Sequence, residues 1–328
     1  MYPFILLPDV KDYIWGGNRL RTEFGIKSDS DTIAEAWMLS CNPAGASTIT
    51  NGAYTGQTLA EVLFSQLDGI GGSKNPMGRY FPLLIKLIDA KKDLSIQVHP
   101  KDGYALEHEG GLGKTEMWYI LEANEGAQIC YGFSRPISRE EMRRRIEDNT
   151  LLDVINQVPV KKGDVFLIEA GTFHAIGKGI LIAEIQQNSN TTYRAYDYNR
   201  KDANGNLREL HIEDALAVTD TSYVPGISPA PVYANEDGYA KACLAMCSFF
   251  TVFDIKIASH ADLCCGMKSF QSLLFISGSA RIYFPDTAAQ DENYLVMIEA
   301  KKGMSIFLPA GMGKYRIEGE CEVLLSEK

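Results

Sequence analysis

The strongest constraint on the fold is an internal repeat. Lys161-Lys-Gly-Asp-Val-Phe-Leu-Ile-Glu-Ala-Gly171 aligns without gaps on Lys301-Lys-Gly-Met-Ser-Ile-Phe-Leu-Pro-Ala-Gly311. Each copy reads as a turn with Gly, a short apolar strand and a second turn with Gly. A looser match precedes it, Trp118-Tyr-Ile-Leu121 against Leu273-Leu-Phe-Ile276. A duplicated run of strands predicts a mainly β chain in two halves. The 328 residues agree, at roughly 100–200 residues per domain. Closed barrels suit so many strands, because closure removes exposed edges. Pro225, Gly226, Pro229 and Pro231 mark Ser222 to Asn235 as a crossover. The boundary expected there separates a domain over 1–230 from one over 231–328.

Helical signals are few. Thr58-Leu-Ala-Glu61 and Ser138-Arg-Glu-Glu141 are capping boxes. A further short helix is expected over Leu151 to Gln157 and another over Glu213 to Val218. Helices this sparse do not alternate with strands, which argues against a doubly wound parallel sheet.

The net charge of -10 repels phosphate backbones, so nucleic acid is not an expected partner. An anionic substrate would need a local cluster of Arg or Lys. Seven Cys without a Cys-x-x-Cys pair point to reduced, mostly buried thiols rather than a disulfide framework or a thiolate zinc site. The apolar start, Met1 to Pro8, lacks a basic leader, and no apolar run nears the ~20 residues of a membrane span. A soluble, cytoplasmic protein with no membrane partner is expected; oligomeric state is not legible.

Leu94-Ser-Ile-Gln-Val-His-Pro100 carries the most chemistry. In a strand, Leu94, Ile96 and Val98 face a core while Ser95, Gln97 and His99 form a polar row. Pro100 ends the strand. Buried polar groups without partners cost roughly 1–3 kcal/mol each, so a polar row inside a barrel calls for a metal ion or polar ligand. Glu116 opens a strand expected beside this one, and His174 follows the turn Ala170-Gly171-Thr172-Phe173. Gln97, His99, Glu116 and His174 together suit a borderline cation such as Zn2+, one per chain, with an open position; iron, manganese or cobalt also fit. Under the repeat, His174 falls on Lys314 and Glu116 on Gln271, so the second barrel is expected to be metal-free. His108, in a Gly-rich loop, His211 and His260 are left outside the site.

Arg194, Tyr196, Tyr198 and Arg200 share a face if Thr192 to Arg200 is extended, and two guanidinium groups can hold a phosphate. Lys114 falls on the face of Glu116 and either positions an oxyanion or supports the site by a salt bridge. Glu184, inside the apolar run Ile180 to Ile185, is either a general base or a partner for a nearby arginine.

Leu94-Ser-Ile-Gln-Val-His-Pro-Lys-Asp102, Lys114-Thr-Glu116, Gly171-Thr-Phe-His-Ala175, Arg194-Ala, Trp15-Gly-Gly17 and Glu35-Ala-Trp37 occur in the order seen in type I mannose-6-phosphate isomerases, and the chain resembles the short bacterial form of that family. The resemblance is specific over residues 2 to 215 and looser beyond. It implies two cupin-like β-barrels of jelly-roll type with a few short helices, the first catalytic. It implies zinc ligation by Gln97, His99, Glu116 and His174, catalysis by Arg194, substrate phosphate at Ser95 and Arg200, and substrate contact near Trp15. Thr115 stands where a Pro is common in the family, and Tyr196 to Asn199 differs from the usual stretch. The implied reaction interconverts mannose 6-phosphate and fructose 6-phosphate through an enediol, with Glu184, Lys114 and His99 as candidate bases. Rival readings are an iron-dependent cupin dioxygenase, which Gln97 in place of a third His disfavours, and a non-catalytic sugar-binding cupin.

Overall fold

The computed structural model describes residues 1–65, 81–201, 205–226, 229–285 and 295–328. Contacts divide the chain into two compact units. One comprises Met1–Asp12, Asn18–Leu87 and Pro231–Lys328, the other Tyr13–Gly17 and Ile88–Ala230. Most of the first 87 residues, expected within a domain over 1–230, thus cluster with the C-terminal segment. The cause is strand pairing. Phe4–Leu7 runs antiparallel to Ser305–Leu308, with Phe4 opposite Phe307, and pairs on its other side with Thr48–Ile49. Phe4 stacks on Phe307 at 6.0 Å and Phe81 packs against Phe270 at 4.9 Å.

The first unit is built on a ten-stranded sheet. Its longest strands, Gln271–Pro285 and Gly313–Glu327, pair antiparallel over most of their length. Alternation sorts their side chains. Leu273, Phe275, Val323 and Leu325 enter one apolar cluster with Ile306 and Leu308, while Ser272 and Ser326, directly opposite each other, lie on the other face. The second unit holds two antiparallel sheets. One contains Ile155–Pro159, Gln128–Phe133, His174–Ala175, Ile96–Val98 and Tyr193–Tyr196 in that order. The other pairs Glu116–Ala123 with Val165–Ile168 on one side and Ile180–Gln187 on the other. This is the jelly-roll sandwich expected of a cupin, with open sheets rather than a fully hydrogen-bonded cylinder.

The repeat is structural. Gly163 and Gly303 both adopt φ +89°, a conformation only glycine reaches without strain. Gly163 N donates to Ile120 O at 2.9 Å and Gly303 N to Phe275 O at 2.8 Å. Ile120 N donates to Asp164 O at 2.9 Å and Phe275 N to Met304 O at 3.0 Å. The same turn therefore locks onto the same strand position in both units, and the looser alignment over Trp118 to Leu121 is in register with it.

Both capping boxes lie at helix starts. Thr58 N donates to Glu61 Oε2 at 2.7 Å ahead of Leu59–Ser65, and Ser138 Oγ accepts from Glu141 N ahead of Arg139–Glu147. The region near Glu213 forms the helix Ile212–Val218. Two local expectations differ from the structure. Leu151–Val154 is one 3-10 turn and Ile155–Pro159 a strand; Asn149, at φ 55°, breaks the preceding helix, and alternation from Ile155 gives a sheet edge. His108 belongs to a helix, Asp102–His108, its ring stacked on Tyr104 at 3.9 Å. No helix among the described residues is long and apolar enough to cross a membrane.

Candidate metal centre and active site

Every residue singled out for chemistry lies in the second unit. Ile96 and Val98 face its apolar core, which turns Ser95, Gln97 and His99 the other way. Strand register then lines up the partners. Gln97 lies opposite His174 on one neighbouring strand and opposite Arg194 on the other. Glu116 arrives from the facing sheet, not from a strand beside Ile96–Val98 as expected; its neighbours are Ile168 and Gln186.

The two imidazoles meet through Nε2, 3.1 Å apart. His99 Nδ1 lies 2.8 Å from Thr191 O and His174 Nδ1 lies 2.9 Å from Thr172 O. A carbonyl only accepts, so each Nδ1 carries the proton and each Nε2 presents a lone pair. Glu116 Oε1 is 3.3 Å from His174 Nε2 and Oε2 is 3.5 Å from His99 Nε2. Neither Glu116 oxygen accepts a well-aligned hydrogen bond among the described residues, although Lys114 Nζ makes an ion-pair contact with Oε2 at 2.7 Å. Gln97 Nε2 lies 3.4 Å from His174 Nε2; a half-turn of the amide presents its oxygen to the same point.

Burial, reinforced by Lys114, lowers His99 to about 3. Burial also lowers His174. Both rings are neutral, the form that binds metal. Burial alone would raise Glu116, but the Lys114 ammonium beside it holds its carboxyl well below the usual range. Converging lone pairs and a buried carboxylate are what a divalent cation requires. His99, Glu116 and His174, all buried and with ligand atoms within 4.8 Å of one another, form a metal-type cluster. Equivalent hydrogen bonds match Gly171 N to His99 O with Gly311 N to Gly266 O. The second copy thus carries Gly266, Gln271 and Lys314 at the three positions, and Tyr315 OH donates to Gln271 Oε1 at 2.9 Å.

Around the cluster, Lys114 Nζ lies 3.1 Å from His99 Nε2 and 3.6 Å from Glu184 Oε1. Glu184 Oε2 accepts from Trp118 Nε1 at 3.0 Å, so an indole and an ammonium are among the groups that hold Glu184. Arg194 Nε donates to Ser95 Oγ at 3.2 Å and its Nη1 to Glu209 O at 2.9 Å. Burial first, then Arg208, lowers the pKa of Arg194. The extended row from Arg194 to Arg200 is broken, because Tyr198 and Asn199 adopt φ 55° and 53°. Arg200 instead turns back on Asp197 and on the carbonyl of Asp93. Trp15 is buried beside Tyr13 at 5.5 Å, and its carbonyl accepts from Lys92 N.

Several contributors carry no sequence signal of their own. Arg208 pairs with the Asp197 that also holds Arg200. His211, set aside above, accepts from Arg194 N at 3.1 Å and donates its own N–H to Arg194 O. Trp118 holds Glu184 through a strand register, Trp118 opposite Glu184, that nothing in the sequence announces.

Residues 4–123 match the family described as phosphomannose isomerase type I, catalytic domain, and residues 241–328 match the mannose-6-phosphate isomerase cupin domain. The chain is 39% identical to the mannose-6-phosphate isomerase of Streptococcus mutans, covering 99% of this chain and 98% of that one. It is 38% identical to the mannose-6-phosphate isomerase ManA of Bacillus subtilis, covering 99% and 98%. The crystal structure of the mannose 6-phosphate isomerase from Bacillus subtilis superimposes with a TM-score of 0.89 at 36% identity, covering 99% of each chain. With identity of this order along its whole length, the chain belongs to the type I mannose-6-phosphate isomerase family.

Proposed function

We infer that the chain is a metal-dependent aldose–ketose isomerase that interconverts mannose 6-phosphate and fructose 6-phosphate. The carrying observation is the pair of facing Nε2 lone pairs beside the buried Glu116 carboxylate, with Lys114, Glu184 and Arg194 around them. His99, His174, Glu116 and the Gln97 amide would hold the ion, and two imidazoles with one carboxylate favour zinc. A cation held there would act as a Lewis acid on the substrate oxygens at carbons 1 and 2.

The chain's own groups supply the proton traffic. Glu184 takes the proton from carbon 2 of the open-chain aldose and returns it to carbon 1 of the enediol. Its carboxylate is aimed by Trp118 Nε1. His99 is a poor base here, because its Nε2 is turned into the ligand cluster. Lys114 shuttles the hydroxyl proton from oxygen 2 to oxygen 1, so each carbon ends with the valence of the ketose. Arg194, half-buried beside Ser95, offers fixed positive charge to an oxyanion. Arg200, with Arg208 across Asp197, supplies the cationic rim for the phosphate. Division of labour follows the duplication: chemistry in the unit around Ile88–Ala230, support in the unit containing 231–328. The free cysteines suit a reducing cytoplasm.

The deciding experiment follows fructose 6-phosphate formation from mannose 6-phosphate in a coupled assay, with and without chelator. Turnover that chelation abolishes and zinc restores supports the reading. Undiminished turnover in metal-free protein, or oxygen uptake in place of isomerisation, overturns it.

A further inference from the structure

We propose that Gln187 is a positioning residue whose amide fixes the spacing of the segments that carry the three metal-type ligands. It stands at the end of Ile180–Gln187 and is 4% exposed. Its Oε1 accepts from Thr115 N at 2.8 Å and its Nε2 donates to Asp102 Oδ1 at 2.9 Å. Its own N–H donates to Thr115 O at 3.1 Å. One side chain thus joins the residue preceding Glu116 to the segment leaving His99.

The partners extend the lacing. Asp102 Oδ1 also accepts from Gly113 N at 2.8 Å, and Lys114 N donates to Pro100 O at 3.0 Å. Thr115 Oγ1 accepts from Ala170 N at 3.2 Å, while Gly171 N donates to His99 O at 2.9 Å. Ala170 and Gly171 begin the turn that delivers His174. All three arms therefore meet at Thr115 and its clamp, and none of these bonds touches a ligand atom. Glu116 comes from a different sheet than His99 and His174, so no ladder between those strands sets their separation. Both amide ends of Gln187 are used. A carbonyl oxygen facing an N–H and an amino group facing a carboxylate leave one orientation of the side chain, which makes the clamp directional.

The inference rests on the metal-centred reading of the site, and the test separates the two. Zinc affinity is measured by competition with a chromophoric chelator, alongside the melting curve of metal-free protein, for the parent, Gln187→Met, Gln187→Glu, Asp102→Asn and His99→Ala. Outer positioning groups typically change metal affinity by 10–100-fold, so Gln187→Met should bind zinc about 10-fold more weakly in protein whose metal-free melting curve shows it folded at the assay temperature. Gln187→Glu keeps the acceptor for Thr115 but sets two carboxylates together, and should also bind more weakly. Asp102→Asn keeps an oxygen for both Gln187 Nε2 and Gly113 N and should retain most of the affinity. Parental affinity in both Gln187 variants overturns the clamp, as does a loss in Asp102→Asn as large as theirs. Zinc bound as tightly by His99→Ala as by the parent would instead overturn the metal-centred reading. Should Gln187→Met fail to fold, Gln187→Glu and Asp102→Asn decide alone.

Discussion

His99 and His174 point their Nε2 lone pairs at each other across 3.1 Å, each fixed in that tautomer by a main-chain carbonyl behind it. Two unprotonated nitrogens at this distance repel unless a cation lies between or beside them. Lys114, 3.1 Å from His99 Nε2, supplies one positive charge, and a metal held there would supply the rest.

His99→Ala should therefore lose metal and turnover together. A Lewis-acid metal contributes several kcal/mol to such a reaction, so kcat/KM should fall by roughly 10^3-fold or more at 1.4 kcal/mol per tenfold. Metal content by elemental analysis, measured with the coupled assay, checks this; activity in metal-free protein is the contrary outcome.

Glu184→Gln preserves the shape of the side chain and a contact for Trp118 but removes the proposed base. General base catalysis contributes about 10^2–10^4-fold, so kcat should fall by that order with KM and bound metal nearly unchanged. Trp118→Phe, which removes only the indole N–H to Glu184, should cost less. Steady-state kinetics and solvent-proton exchange at carbon 2 test both.

Arg194→Ala removes a partly buried guanidinium that bonds Ser95. Hydrogen bonds involving charge are worth about 1.5–3 kcal/mol, which predicts a loss of about 10–100-fold in kcat/KM. Arg194→Lys should recover little, since one ammonium cannot replace a fork that engages Ser95 and the Glu209 carbonyl at once.

In the unit containing the C-terminal segment, Asp254 is fully buried and accepts from Tyr233 OH at 2.6 Å. Burial, then the neighbouring Glu322, pushes its carboxyl up from 3.8 to about 7, although Lys256 lies 3.9 Å away. Between those values the native state keeps a proton that the unfolded chain has released. Stability from this group is present below pH 4, falls as pH rises toward 7, and changes little above. Asp254→Asn should flatten that slope, as read from denaturant midpoints across the window.

Gly163 and Gly303 share φ +89° but not their surroundings. A Cβ at Gly163 meets open space, whereas one at Gly303 would stand 2.0 Å from Phe24 O. Gly163→Ala should cost about 1 kcal/mol of backbone strain, and Gly303→Ala clearly more. Paired chemical denaturation curves measure the difference.

Local pattern made much of this architecture legible. The alternation in Leu94 to Pro100 told core from site, because a polar row in an apolar strand has few other uses. The gapless repeat foretold twin turns that share dihedral angles and hydrogen bonds. What stayed hidden depends on pairing between distant strands. Nothing near Phe4 announces Phe307, and nothing in Glu116 says that it reaches His99 from a facing sheet. Leu151 to Gln157 was too short for periodicity to separate helix from strand. Tyr198 and Asn199, at positive φ, turn the chain where extension was expected. Gln187 carries no motif; its importance lies in bonds to backbone atoms that only the fold brings near.

The second copy of the repeat keeps the twin turns and their main-chain bonds while Gly266, Gln271 and Lys314 stand where an ion would be gripped. A frame that persists without its chemistry does not need the ion in order to fold. In the working half, then, a metal ion held by the cluster would be a passenger of a finished scaffold, and stripping it should leave an ordered, refillable apoprotein.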